Sequence, residues 1–278
     1  MGIVDLIRKL FGRTAAPPAP ASPEPAPPPL PVAPEPVAPP DPAQRSADRR
    51  DQFWASVGLV EPDLLSHLVS PGLIGGPAWP TTRQAYRVVR RADGSTLIAT
   101  DGLSDPFDDG AEEEEASAVN GFELELFAES ADLPAGTAGA PGDIAPLAGS
   151  WLLELVRNVA GTVAQAGGIA GHLDRHGVLS MEIPGVSSST AISAQLPARY
   201  VTADDALGIL IGAPAPDFAA SIEDMPLSPV RLVPIVLLTA AELGEIRAGD
   251  EETRDAIAAR LAAMPSGHRS DLGRPSIV

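Results

Sequence analysis

The chain contains no cysteine, which excludes disulfide staples, thiolate metal sites and cysteine nucleophiles. A cytoplasmic protein is the expectation that follows. Aromatic residues are scarce, at 4% beside 44% hydrophobic residues, so the core has to be built mainly from Ala, Val, Leu and Ile. Lysine is nearly absent: Lys9 stands alone among 19 basic residues, an arginine bias that, with abundant Ala, Gly and Pro, points to a GC-rich bacterial genome. No apolar run is long enough to span a membrane, and the N-terminus lacks the continuous apolar stretch and cleavage site of a secretory signal. Neither a GxGxxG nor a P-loop is present, and Ser187, Ser188 and Ser189 lack the second glycine of a nucleophile elbow. No catalytic motif stands out, and no cofactor is expected.

Positive charge is the other shortage. The net charge is −18, and it is uneven: residues 1–50 carry one net positive charge, leaving −19 for the remainder. So acidic a body repels nucleic-acid phosphates, and only Arg83, Arg87, Arg90 and Arg91 cluster against that field. A basic protein is the easier partner, and no nucleic acid is expected.

What is present divides the chain into three parts. GIVDLIRKLFGR places Ile3, Leu6, Ile7 and Leu10 on one face of a short basic amphipathic helix over 1–13. That helix is either a frayed end or a dock for a partner or membrane surface, and it is the only segment from which membrane contact is expected. Over 14–45 prolines alternate with Ala, Glu and Val, predicting a disordered polyproline II spacer. One globular domain is expected over 46–278. It is α/β (α+β) in class, a single mixed sheet flanked by helices.

Within that domain Phe53, Trp54 and Val57 share a helical face, and Glu61-Pro62-Asp63 reads as the first turn of a second helix through Leu68. Ala85–Arg91 and Ser95–Thr100 flank Asp93-Gly94 as a hairpin. Alternation across Phe122, Leu124 and Leu126 predicts a half-buried strand with Glu123 and Glu125 facing water. A helix is expected over Ser150–Ala166, with Leu152, Val156, Val159 and Val163 as its buried stripe. Strands follow at Val178–Ile183, Ala191–Leu196 and Leu207–Ile211, and the near-continuous apolar run Val230–Leu238 predicts a strand buried on both faces. Thr239 and Glu242 form a capping box, and Asp250 caps a last helix that Pro265 ends.

Two clusters are candidates for chemistry. His172 and His176 in GHLDRHG have the spacing of zinc ligands on a helix, with Asp174 between them, and would support a metal-dependent hydrolase. Leu173 stands where the metalloprotease motif needs Glu, however, and the flanking glycines favour a loop. The acidic block Asp105, Asp108, Asp109, Glu112, Glu113, Glu114 and Glu115 fails the EF-hand register, because Ala116 occupies the position of the bidentate Glu. It is a solvated loop or a docking surface for a basic partner.

Taken in order, GLSDPFDDG, NGFELELFAES, SWLLELVRNVAGTVAQAGG, PLSPVRLVPIVLLTAAELGEIRAG and SGHRSDLGRPSIV resemble the successive landmarks of the Suppressor of fused (SUFU-like) domain family. The corresponding positions are Gly102–Asp105, Gly121–Leu124, Trp151–Leu155, Thr239–Leu243, and Ser270-Asp271 with Arg274, and the resemblance spans Trp79–Val278. It implies a mixed α/β domain that holds a protein partner without catalysis. The animal member sequesters transcription factors, and bacterial relatives are suspected immunity proteins that neutralise toxins. Where the animal helix grips its peptide with a Tyr, this chain has Asn158, and the next acidic contact is displaced into Gly171–Asp174. The animal ligand is therefore not implied. What carries over is a cleft or sheet edge that accepts an extended segment.

Overall fold

A strand of nine residues in which all but Arg231 are apolar can be buried on both faces only in the interior of a sheet. In the computed structural model Val230–Leu238 forms strand β9 in that position. The structure describes residues 41–67, 69, 71–107 and 119–278, and the segments expected over 1–40 lie outside them. Strand β5 (Leu124–Ser130) runs parallel to β9 on one side, with Leu124 opposite Arg231, while β7 (Ala206–Ile211) runs antiparallel on the other. The sheet continues outward through β4 (Thr96–Asp101) and β3 (Ala85–Arg90) to β1 (Leu59–Val60) and β2 (Leu65–Ser66). Strand β6 (Leu179–Pro184) forms the opposite edge, and β8 (Ser221–Ile222) pairs with β9.

Alternate residues of β9 serve different cores. Val233, Ile235 and Leu237 pack with Leu124, Leu126, Ile209 and the helix α2 (Trp151–Gln165), on the face that also holds α3 (Ala170–His176) and α4 (Thr190–Gln195). Val230 and Leu232 face Trp54 of α1 (Pro42–Val57). Val236 and Leu238 face α5 (Ala240–Ala248) and α6 (Glu251–Ala262). Among the described residues the mixed sheet has nine strands and six α-helices flank it. Helix α5 comes so close to β7 that a Cβ on Gly208 would lie 2.8 Å from Leu243, which is why the strand carries glycine there. Among the described residues no helix is long and apolar enough to cross a membrane.

Several expectations hold in detail. Ser150 caps α2, its Oγ accepting from the Leu153 N–H at 3.2 Å, and the stripe Leu152, Val156, Val159 and Val163 is buried. The capping box of Thr239 with Glu242 forms, and Asp250 caps its helix, there in a second box with Thr253. In the β3–β4 hairpin the Asp93 carboxylate accepts from the Ser95 N–H, and Gly94 takes φ 89°.

Other elements differ. Helix α1 starts at Pro42, ahead of Ser46, so Pro42–Arg45 are its first turn rather than linker. The helix expected from Glu61 does not form, because the Glu61 carboxylate is buried under Arg90 (2.8 Å) and the Gly142 N–H (2.8 Å), which holds the chain extended along β3. Ala191–Leu196 is helical instead of extended, with Ser189 accepting from the Ile192 N–H as N-cap of α4. GHLDRHG is helix α3, not a loop, and Gly177 ends it with φ 69°. Strand β5 is buried on both faces: Glu125 is 0% and Glu129 2% exposed.

Candidate partner-binding site

The turn after β4 shows how the acidic segment is anchored. Gly102 and Ser104 donate their N–H groups to Glu125 Oε1 at 3.1 and 3.0 Å, and the Ser104 hydroxyl donates to the same oxygen at 2.6 Å. Arg50 descends from α1 into this cluster. Its Nε lies 3.3 Å from Asp101 and 3.7 Å from Glu125, Nη1 is 3.2 Å from Ser104 Oγ, and Nη2 pairs with Asp105. Arg83 and Arg87 reach Asp101 from outside at 2.7 and 2.8 Å. Asp105 is therefore 6% exposed and its carboxylate faces Arg50, so it is not presented to a partner as the sequence suggested. The arginine cluster is consumed in the same way. Besides Arg83 and Arg87, Arg90 pairs with Glu61, while Arg91 donates to the Val57 carbonyl and lies 3.5 Å from Glu129.

Burial pushes the Asp101 carboxyl up, but Arg50, Arg83 and Arg87 outweigh it and hold the group below the usual carboxylate range. Glu129 behaves alike: hydrogen bonds from His268 and Ser95 overcome its burial and lower it. Glu125 goes the other way, raised by burial above all. A depressed carboxyl stabilises the fold above its unfolded pKa of about 4, and that contribution is lost as pH falls through the folded value. The raised Glu125 contributes with the opposite sign, present below about 4 and lost as pH rises through its folded value. With more depressed than raised groups, the urea midpoint is expected to drop steadily as pH falls below about 4. A midpoint that holds or rises as pH falls below about 4 would contradict this arrangement.

The remaining candidates are dispersed. Asp108, Asp109 and Glu112 to Glu115 lie outside the described residues. Asp174 on α3 is exposed and pairs with Arg231 of β9, beside a cavity of about 410 Å³ that Glu123 and Glu223 also line. His172 is exposed, and His176 Nδ1 lies 2.9 Å from Glu251 Oε1. Among the described residues no three His, Asp or Glu side chains gather as metal ligands would, so the zinc-like spacing is not completed by a third donor.

Asn158 sits mid-helix in α2, its Nδ2 donating to the Glu154 carbonyl at 2.8 Å. It lines a cavity of about 290 Å³ between α2 and the segment that joins β2 to β3. His67, Trp79, Tyr86 and Arg157 share that lining, and periodicity alone gave no sign of their convergence. Trp79 packs edge-on against Tyr86 with centroids 5.7 Å apart, and Gln84 Nε2 is fixed by the Pro77 carbonyl at 2.9 Å. Burial pushes the Tyr86 hydroxyl up to about 12, so it stays protonated across the physiological range. The one sequence signal was that the family resemblance begins at Trp79.

No family model matches this chain, and no curated protein does. Solved structures do. A chain of the Sufu–Fu complex crystal structure superposes with a TM-score of 0.50 at 16% identity, over 86% of this chain and 92% of that one. Drosophila Suppressor of Fused gives a TM-score of 0.49 at 16% identity over 84% of this chain, which spans 50% of that protein's chain. The sheet and helices described above form a Suppressor of fused-like fold.

Proposed function

We propose that this protein is a non-enzymatic module that holds a protein partner, in the role of an immunity protein that neutralises a toxin. The carrying observation is the match to nearly the whole of a chain taken from a two-protein complex. The acidic body supports a basic partner, because complementary fields raise the encounter rate and penalise wrong partners. Asp108, Asp109, Glu112 to Glu115, Asn158 and Asp174 are the side chains assigned to contact. Asp105 supports the turn that carries the acidic segment, through Arg50.

Affinity capture with the full chain from its native host, at low and high salt, followed by rebinding of the purified captured protein, tests the reading. The expected result is one basic protein that rebinds directly, with an affinity that falls as salt rises. Absence of any directly rebinding protein at both salt concentrations would overturn it. Co-expression separates the immunity role from other binding roles: the captured protein should be toxic alone and harmless with this chain.

A further inference from the structure

Arg157 is out of character with the other arginines. Among the described residues every other arginine that is at least half-buried has a carboxylate or carbonyl partner, from Arg50 with Asp105 to Arg274 with Glu242. Arg157 has neither: its Nε is buried without a hydrogen-bond partner, and its guanidinium carbon lies over the Tyr86 ring, 5.7 Å from the centroid. The chain has 37 acidic residues to 19 basic ones, so carboxylates are not in short supply. Glu154 lines the same cavity without forming an ion pair with Arg157. A guanidinium held against an aromatic face and left without an acceptor is preorganised for a carboxylate, whose two oxygens match its fork.

The walls say what else the occupant needs. Beyond Trp79 and Gln84 the cavity meets a second, of about 220 Å³, lined by Leu73 and Pro80. Leu73 and Ile74 are 72% and 74% exposed beside it. The furrow thus joins apolar walls to one arginine without an acceptor, with Glu154, Asn158 and Gln84 among its polar lining. Resting on the partner-binding reading above, we propose that it takes an extended segment of the protein partner, one Asp or Glu side chain of which pairs with Arg157 while apolar neighbours lie against Trp79 and Leu73. The partner's overall basic charge is met by the acidic body, and this one contact has the opposite sign.

The test uses the full chain and capped peptides of about nine residues, long enough to cross the furrow at about 3.3 Å per residue. Their centres are Glu, Gln or Lys between Leu, Val and Ala. Hydrogen bonds to charged groups predict Glu-centred peptides retained about 10-fold or more over Gln-centred ones. Arg157→Gln should abolish that preference without shifting the unfolding midpoint, and Arg157→Glu should turn it towards Lys. His67 supplies a second readout. Burial and then Arg157 lower its pKa in the free protein, with Glu154 opposing and Tyr86 packed against its ring. A Glu-centred peptide should raise the His67 value in an NMR titration, and a Gln-centred one should not. Equal retention of Glu and Gln peptides, or an Arg157→Gln variant that selects like the parent, overturns the proposal. So does equal retention of Gln peptides with free C-terminal carboxylates, which would mean capture of a chain end. A captured partner that binds Arg157→Gln as tightly as the parent sinks this inference and leaves the partner-binding reading standing. Failure to capture any partner sinks that reading whatever the peptides do.

Discussion

Replacing Arg50 by methionine is expected to destabilise the protein by about 3–5 kcal/mol, the cost of removing one member of a buried ionic group. Arg50 is 0% exposed and faces Asp101, Asp105 and Glu125, all nearly or fully buried. Without it three carboxyls share a site that water does not reach, and at least one has to take up a proton. Urea unfolding at pH 7 measures the loss. Adding Glu125→Gln and Asp105→Asn to Arg50→Met should recover part of it, because the one carboxylate left, Asp101, keeps Arg83 and Arg87 as partners. A loss below about 1 kcal/mol in the single variant would mean that the pairs behave as exposed ones do.

The second large effect lies at the C-terminus. Arg274 meets Glu242 through two parallel bonds, Nη1 to Oε1 at 2.7 Å and Nη2 to Oε2 at 2.6 Å, and also donates to the Leu237 carbonyl at 3.0 Å. Glu242 is 0% exposed, and its carboxylate also accepts from the Thr239 N–H at 2.8 Å and the Ile277 N–H at 3.1 Å. One carboxylate therefore joins the end of β9, the first turn of α5 and the final residues of the chain. Arg274→Ala should cost about 3 kcal/mol, and Arg274→Lys less than half of that loss should recover, since an ammonium lacks the fork. Amide exchange should locate the damage: protection falls at Ile277 and Thr239 while β9 amides keep theirs. Uniform loss across the sheet would show that the clasp is not local.

These two clusters explain what was legible. The landmarks behind the family resemblance are clasps: Gly102–Asp105 wraps Glu125, Ser270 Oγ accepts from the Leu237 N–H at 2.9 Å, the Asp271 carboxylate accepts from the Ala131 N–H at 2.9 Å, and Arg274 locks Glu242. Matching them in order identified a fold, and it did not identify a binding surface. Strand β9, the Thr239–Glu242 capping box and the Asp250 cap were readable because their causes lie within a few neighbouring residues. The burial of Glu125 was not, because its cover comes from Arg50, far away in the chain, so alternation that fits a half-buried strand served a fully buried one. Glu61 misled for the same reason, as its partners Arg90 and Gly142 are distant. For Ala191–Leu196 the signal is local, since Ser189 caps an Ala-containing turn. The furrow at Arg157 joins a helix face to the β2–β3 connection, and no spacing rule links those two segments.

The parallel pairing of β5 with β9 also constrains the order in which the molecule can assemble. The two strands at the middle of the sheet come from opposite halves of the domain, so one edge of β5 has no partner until β9 has been synthesised. Long-range parallel pairing is slow, because the chain entropy is lost before the contacts form. Until then the nascent β3–β4–β5 meander leaves the edge of β5 open, a row of unsatisfied backbone groups of the kind that recruits other strands. A cell making this protein has to keep that edge unpaired for the interval between the emergence of Ser130 and that of Leu238.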